Sequence, residues 1–418
     1  MANHRNRVIY QSEALFVSPD ATGFHYTGAS LVGSAEPVGG EHNSTIVKQL
    51  KRVQSANYGF TVNKQDVNQF GHASRLDSLV VEPPTVNLDF SYYLLDGHNE
   101  RMLGFVVDGE TNTVSGMLDS NTSQAGQNFF ILTVPESRDA VGGDASVGET
   151  EKSVISLGNG YVTDYSVDIS VGAIPTANIT VEGMNIKANT GTEGIDVPAI
   201  DMRDGSLVSK KDGGCTGLFS LPASQSGYTG CDDVAALRPG DVVLDLNDGG
   251  LLSKQVSGLG NDPRIGSAHV QSVSINLPLA RTTLQRLGTI FGFSKVLDLP
   301  LSATMSVSAT LSDLKSGNMV DLLCGCDSHN LKVKIYNPEC VDCTQKDGDL
   351  ALVYELRGAT LESENFTSTI GDNKSVDLTF TAQVGGADDK ANGLFVSGSS
   401  LGTTKGLPPA WVNGVYRA

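Results

Sequence analysis

The segment Val53–Asp96, VQSANYGFTVNKQDVNQFGHASRLDSLVVEPPTVNLDFSYYLLD, returns without a gap 217 positions later as Val270–Asp313, VQSVSINLPLARTTLQRLGTIFGFSKVLDLPLSATMSVSATLSD. Val53/Val270, Gln54/Gln271, Ser55/Ser272, Gly71/Gly288, Pro83/Pro300, Ser91/Ser308, Leu94/Leu311 and Asp96/Asp313 are identical. Roughly two to three identities are expected by chance at average composition. The pattern constrains the fold more than the identities do. Leu88, Phe90, Tyr92 and Leu94 alternate with more polar neighbours, and Met305, Val307, Ala309 and Leu311 alternate in the same register. A period of two places one set of side chains on one face of a strand, so the two segments are expected to build the same sheet.

The correspondence continues beyond the segment. Asn318-Met319-Val320 follows Asn99-Glu100-Arg101 at a separation of 219, NLKVKIY (Asn330–Tyr336) follows NFFILTV (Asn128–Val134) at 202, and NFTSTIGDNKSVDLTF (Asn365–Phe380) follows Ser166–Val181 at 199. The last of these puts Gly371 on Gly172, Leu378 on Ile179 and Phe380 on Val181. The drop from 219 to 202 assigns the shortening to the Gly/Asn/Ser-rich loop Asp108–Gln127. Loops are where repeated folds vary.

In chain order, residues 7–17 read as a first strand, 18–45 as a long polar loop and 50–63 as a strand. KQDVNQFG (Lys64–Gly71) reads as a short helical turn closed by Gly71. The prolines of VEPPTVNLDFSYYLL are confined to the start of its strand. Asp96-Gly97 is a turn, Asn99–Phe105 a second helical turn, FFILTV (Phe129–Val134) a strand and Ser166–Met184 a hairpin. Ala188–Asp245 reads mostly as connector, with Asp241–Leu246 in the role of residues 7–17. The segment after Val384 reads as a Gly/Ser-rich surface arm. The expected division is residues 1–187, a connector 188–240, residues 241–385, and an arm 386–418.

Composition agrees with strands joined by turns: of 418 residues 47 are Gly, only 18% are charged and 6% aromatic. That length suits about two to three domains with cores of ordinary size. The net charge of −18 argues against holding nucleic acid by phosphate neutralisation and against anionic membranes. No apolar run follows the basic N-terminal residues and none is long enough to span a bilayer, so a soluble, cytoplasm-made protein without a secretory signal is expected. The Asn-x-Ser/Thr matches at Asn43, Asn121, Asn178, Asn365 and Asn373 then carry no glycans.

Candidate chemistry is sparse, and no catalytic, cofactor-binding or metal site is assigned. Gly398-Ser399-Ser400-Leu401-Gly402 has nucleophile-elbow spacing, yet no Asp, Glu or His follows it to complete a triad. His4, His25, His42, His72, His98, His269 and His329 form no metal-binding pair and read as polar surface positions. Gly258-Leu259-Gly260 reads as a loop. Cys324-x-Cys326 and Cys340-x-x-Cys343 have the spacing of a four-thiolate zinc site. The strand Leu331–Tyr336 between them spans roughly 20 Å and separates the pairs, and the first half carries no matching cysteines. Zinc, reduced thiols and a late disulfide remain the alternatives there; Cys215 and Cys231 flank a Gly-rich loop and are a further possible pair.

VQSANYGFTVNKQDVNQFG, EPPTVNLDFSYYLLDGHNE, VAALRPGDVVLDL and RGATLESENFTSTIGDNKSVDLTFTAQV together resemble the tail tube (major tail) proteins of long-tailed bacteriophages. The resemblance implies a mostly β chain of two tandem β-sandwich or barrel domains, each with one or two short helices and long loops. It also implies a structural virion protein without enzymatic activity or cofactor. Chains with two copies are similar to the subset whose rings are trimers mimicking a hexamer. The implied partners are further copies of the chain and tail components such as tape measure, terminator and baseplate proteins, with DNA passing unbound. The alternative is a duplicated β-sandwich binding module of a baseplate or other tail component; an enzyme would need convergent titratable groups that the sequence does not offer.

Overall fold

A computed structural model of the chain describes residues 13–18, 47–118, 126–136, 138–141, 147–200, 207, 218–219, 221–224, 235–245, 268–311, 328–337, 350–371, 373–386 and 388–399. The fold is mostly β. The first half holds β1 (Glu13–Ser18), β2 (Lys48–Gln49), β3 (Val53–Thr61), β4 (Lys64–Val67), β5 (Asp77–Val80), β6 (Thr85–Tyr93), α1 (His98–Met102), α2 (Ser115–Leu118), β7 (Gln127–Thr133), β8 (Ser153–Ser170), β9 (Thr176–Gly183) and β10 (Asn185–Thr190). After the short pair β11 (Ile195–Asp196) and β12 (Leu218–Phe219) come β13 (Val242–Asp245), β14 (Ala268–Pro278), β15 (Arg281–Leu284), β16 (Ser294–Leu297), β17 (Ser302–Leu311), β18 (His329–Tyr336), β19 (Leu350–Thr367), β20 (Ser375–Gln383) and β21 (Gly393–Gly398).

The two halves pair in the same order. In the first, β1-β7-β8-β9-β6-β3 are successive antiparallel neighbours; in the second, β13-β18-β19-β20-β17-β14. Registers coincide residue by residue. Leu88 faces Val181 as Met305 faces Phe380, and Lys64 faces Val80 as Arg281 faces Leu297. Each half interrupts its registers at the same places, between Val53 and Ser55 or Val270 and Ser272, and between Val162 and Asp164 or Leu361 and Ser363. A bulge is a specified local feature of a strand, so its recurrence at matching positions ties the halves together more closely than strand count does.

The alternation read in the sequence is the burial pattern. In β6, Val86, Leu88, Phe90 and Tyr92 are buried, and in β17 Ala303, Met305, Val307 and Ala309 are. Both sets enter one core, and each larger apolar side chain removed from water contributes about 1.5–3 kcal/mol. The long strands β8 and β19 each turn a corner at a left-handed residue, Asn159 (φ 52°) and Gly358 (φ 67°), which occupy matching positions. Before the corner the strand pairs with β7 or β18, and after it with β9 or β20. Asn tolerates this conformation better than most residues with a Cβ, and here both its amide ends bond the backbone of Ile200, at 2.7 and 3.1 Å.

Several sequence expectations need correction. Lys64–Gly71 is not helical: Lys64–Val67 is β4, hairpin partner of β5, and pairing with that next strand overrides weak local helix preference. Gly71 keeps its expected role as a left-handed turn residue (φ 87°), matched by Gly288 (φ 100°) at the tip of β15–β16. The segment after Val384 is not only an arm, since Leu394, Phe395 and Val396 in β21 are buried against β19. The connector is partly sheet: β10 runs to Thr190 and pairs with β8, and Ile195, Val197 and Ala199 enter a second core with Phe16 and Phe130. The loop Asp108–Gln127 contains α2 and the first residue of β7; residues 119–125 lie outside the described residues, as do 7–12 and 19–46 of the first strand and polar loop.

Candidate assembly interface

The halves meet edge to edge. β8 and β14 pair from Ser170↔Ser272 to Asp164↔Pro278, which joins both halves into one continuous sheet. Leu279 N–H donates to Thr163 O (2.8 Å) and Val171 N–H to Gln271 O (2.9 Å), extending the seam at both ends. Ile275 lies opposite Val167 and Leu277 opposite Tyr165, all four buried.

The hairpin β15–β16 lies over the first half beside this seam. The Arg281 guanidinium sits 5.0 Å from the centre of the Tyr161 ring, and Phe291 packs against the cluster of Tyr161, Met184 and Ile200. The Lys295 ammonium, only 2% exposed, pairs with Glu182 at 2.9 Å. Burial pulls Lys295 below the ordinary lysine range, and Glu182 opposes that pull. An ammonium this deep is tolerated because its carboxylate partner reaches it.

Among the described residues, no hairpin lies in the same way over the matching elements of the first half. Among the described residues β3 hydrogen-bonds only to β6, and its other edge meets no strand. Tyr58 is 36% exposed and Phe60 63%, although their counterparts Ile275 and Leu277 are fully buried. The hairpin β4–β5 carries exposed Phe70, Leu79 and Val80. At the opposite end of the sheet, the second part of β19 (361–367) pairs only with β20 among the described residues, leaving Phe366 40% exposed. Open edges of this kind are normally blunted in monomers.

One buried carboxylate lies between the halves. Glu100 on α1 accepts hydrogen bonds from the hydroxyls of Tyr92 (3.0 Å) and Tyr165 (3.2 Å), and the Tyr165 hydroxyl meets that of Tyr354 from β19 at 2.8 Å. Helix α1 is held in place by Asn99, whose side chain bonds the backbone N–H and C=O of Lys51, both at 2.8 Å. Burial pushes Glu100 up to about 6, against the lowering effect of its hydrogen bonds, and pushes all three tyrosines well above their ordinary value. The sequence signal for this site was the Asn-Glu-Arg match itself, which marked a shared turn but not its burial.

No family model and no curated protein matches the chain. Among solved structures, a chain of one described as the virion of a native gene transfer agent particle is similar to it at 14% identity, over 38% of this chain and 98% of its own length, with a TM-score of 0.19. A score that low carries no argument about fold or role.

The remaining sequence candidates do not converge. Cys215, Cys231, Cys324, Cys326, Cys340 and Cys343 lie outside the described residues, as do Gly258–Gly260, Ser400–Gly402, His4, His25 and His42. Ser399 follows β21 directly and is exposed. His72 and His269 are exposed as expected, whereas His329, at the start of β18, is buried and His98, at the start of α1, is half-buried. No cluster of three or more metal-ligating side chains occurs among the described residues, and no helix among them is long and apolar enough to cross a membrane.

Proposed function

We propose that this chain is a structural virion protein, a tail tube subunit that assembles with copies of itself into stacked rings. The two halves are tandem copies of one unit, so three chains present six like units around a conduit for DNA. The observation that supports this most directly is the seam. One chain already joins two units edge to edge in a defined register and carries the same two kinds of edge, met by no further strand among the described residues, at its ends. Repetition of such a contact closes into a ring when the rotation permits and otherwise grows a filament. The charge of −18 suits a wall past which DNA slides without being held. Tape measure, terminator and baseplate proteins are the partners such a tube meets.

Negative-stain microscopy of the purified chain tests this reading. Rings or tubes with three chains per ring are expected, and a monodisperse monomer at every concentration, also with tail partners added, overturns it. The exposed apolar hairpin β4–β5 supports a second reading, a binding module docking on a baseplate component. That reading gains if the chain stays monomeric and binds such a component through Phe70, Leu79 and Val80.

A further inference from the structure

The seam inside the chain is a template for the seam between chains. We propose that β3 of one chain adds to the edge of β19 that meets no second strand among the described residues, in a second copy, antiparallel and in the register that β14 takes on β8. Hairpin β4–β5 then lies over the second copy as β15–β16 lies over the first half. This rests on the self-assembly reading and deepens it by naming the edges, the register and the polarity of the contact.

The register follows from two separations that the pairings among β3, β6, β8 and β9 and their counterparts obey, 217 between β3 and β14 and 199 between the later parts of β8 and β19. Carried across, Ile275↔Val167 becomes Tyr58↔Phe366, and Leu277↔Tyr165 becomes Phe60↔Glu364. Tyr58 and Phe366, both partly exposed, therefore fall opposite each other, and Phe60 meets the chain of Glu364. Burying an aromatic pair across two strands is the usual source of cross-strand stabilisation. A slip of one residue would turn both rings to opposite faces, so the matched exposure argues for this register rather than its neighbours.

The hairpin seat supplies an independent check. Inside the chain it is held by Lys295 on Glu182 and Arg281 on Tyr161. At the matching positions between chains stand Ser78 and Thr381, and Lys64 and Thr360. Where one member of the buried ion pair is lost, so is the other, and two hydroxyl residues meet instead. A mismatch on either side alone would leave a buried charge unpaired, which is the costly case. The contact between chains thus lacks the ion pair of the internal seam and leaves neither half of it behind, while Lys64 keeps the positive charge of Arg281.

Because the two edges differ, the contact is head to tail. The test uses two full-length variants, Tyr58→Asp/Phe60→Asp, which spoils the β3 edge, and Phe366→Asp, which spoils the β19 edge. Each alone is expected to remain a folded monomer by sedimentation and circular dichroism. An equimolar mixture is expected to give a one-to-one dimer that grows no further, since one intact edge of each kind remains. A mixture that stays monomeric, or either variant assembling alone, overturns the proposal. In the otherwise unaltered chain, a photo-crosslinking benzoylphenylalanine at position 58 is expected to capture the peptide containing Phe366 of another chain. This second readout holds even if the Asp variants misfold, and capture of other segments overturns the proposal. Rings that form with crosslinks elsewhere sink this register alone, whereas a wild-type chain that never assembles sinks the self-assembly reading together with it.

Discussion

Strand β3 with its hairpin β4–β5, and strand β14 with its hairpin β15–β16, share registers, bulge and turn glycine, yet Tyr58, Phe60 and Ser78 of the first set are exposed or half-buried where Ile275, Leu277 and Lys295 of the second are buried. Local structure is therefore independent of cover: hydrogen bonding to β6 or β17 and the left-handed Gly71 or Gly288 suffice to shape the element. What differs is the neighbour. On its second edge β14 finds β8 of its own chain, and β3 finds no second strand among the described residues.

The comparison breaks first at equivalent core and edge positions. Ile275→Ala should cost about 2–5 kcal/mol in urea unfolding of the dilute monomer, and Tyr58→Ala less than about 1, because only Ile275 leaves a cavity. Equal losses would mean that β3 is covered within the chain after all.

The corner residues come next. Asn159→Ala should cost about 2–4 kcal/mol, since it puts a Cβ residue without side-chain support into the left-handed region and strips two buried bonds from Ile200. Asn159→Gly should lose less, keeping the backbone freedom that Gly358 has at the matching corner. Urea melts of the two variants side by side decide it.

Glu100 sharpens the contrast through pH. Its folded value, about 6, lies above the ordinary 4.5, so its protonated form favours the fold; that contribution is fully present below pH 4.5 and is lost as pH rises through 6. The 1.5-unit difference is worth about 2 kcal/mol. Asp96, the nearby charge, pushes in the same direction, while the hydroxyls of Tyr92 and Tyr165 oppose it. Glu100→Gln should therefore flatten the stability profile between pH 4.5 and 6 by that amount. His98, pushed down to about 4 by burial first and by Lys51, has the opposite slope, its contribution being lost as pH falls from 6.5. The difference between variant and parent isolates Glu100.

The smallest effect belongs to the hairpin seat. Lys295→Ala should cost about 1–2 kcal/mol by leaving Glu182, about one-third exposed, without its ammonium. Ser78→Ala at the matching position should change the monomer by less than about 0.5 kcal/mol. A large loss at Ser78 would place that hairpin against its own chain.

Strand periods were legible because they are written in adjacent side chains: Leu88, Phe90 and Tyr92 announce β6 without help from the rest of the chain. The gap-free separation of 217 likewise predicted which residues of β3 and β14 are equivalent. Lys64–Val67 was misread because KQDV has no alternation of its own and becomes a strand only through DSLV ten residues later. The first part of β8 escaped notice because it is nearly all buried, with little polar face to mark a period, whereas that of β19 does alternate buried Leu352, Tyr354 and Leu356 with Val353, Glu355 and Arg357. The burial of Glu100 was invisible because its tyrosines come from three strands far apart in sequence.

By itself, then, the sequence determined the alternating strands such as β6 and β17, the turn glycines Gly71 and Gly288 and the register that β3 shares with β14, all of which depend on side chains near one another along the chain. Only the tertiary structure decided that β8 receives β14 while β3 and the end of β19 stay open. Edge pairing is made by backbone N–H and C=O groups that every residue carries, so no residue type announces which edge will be filled.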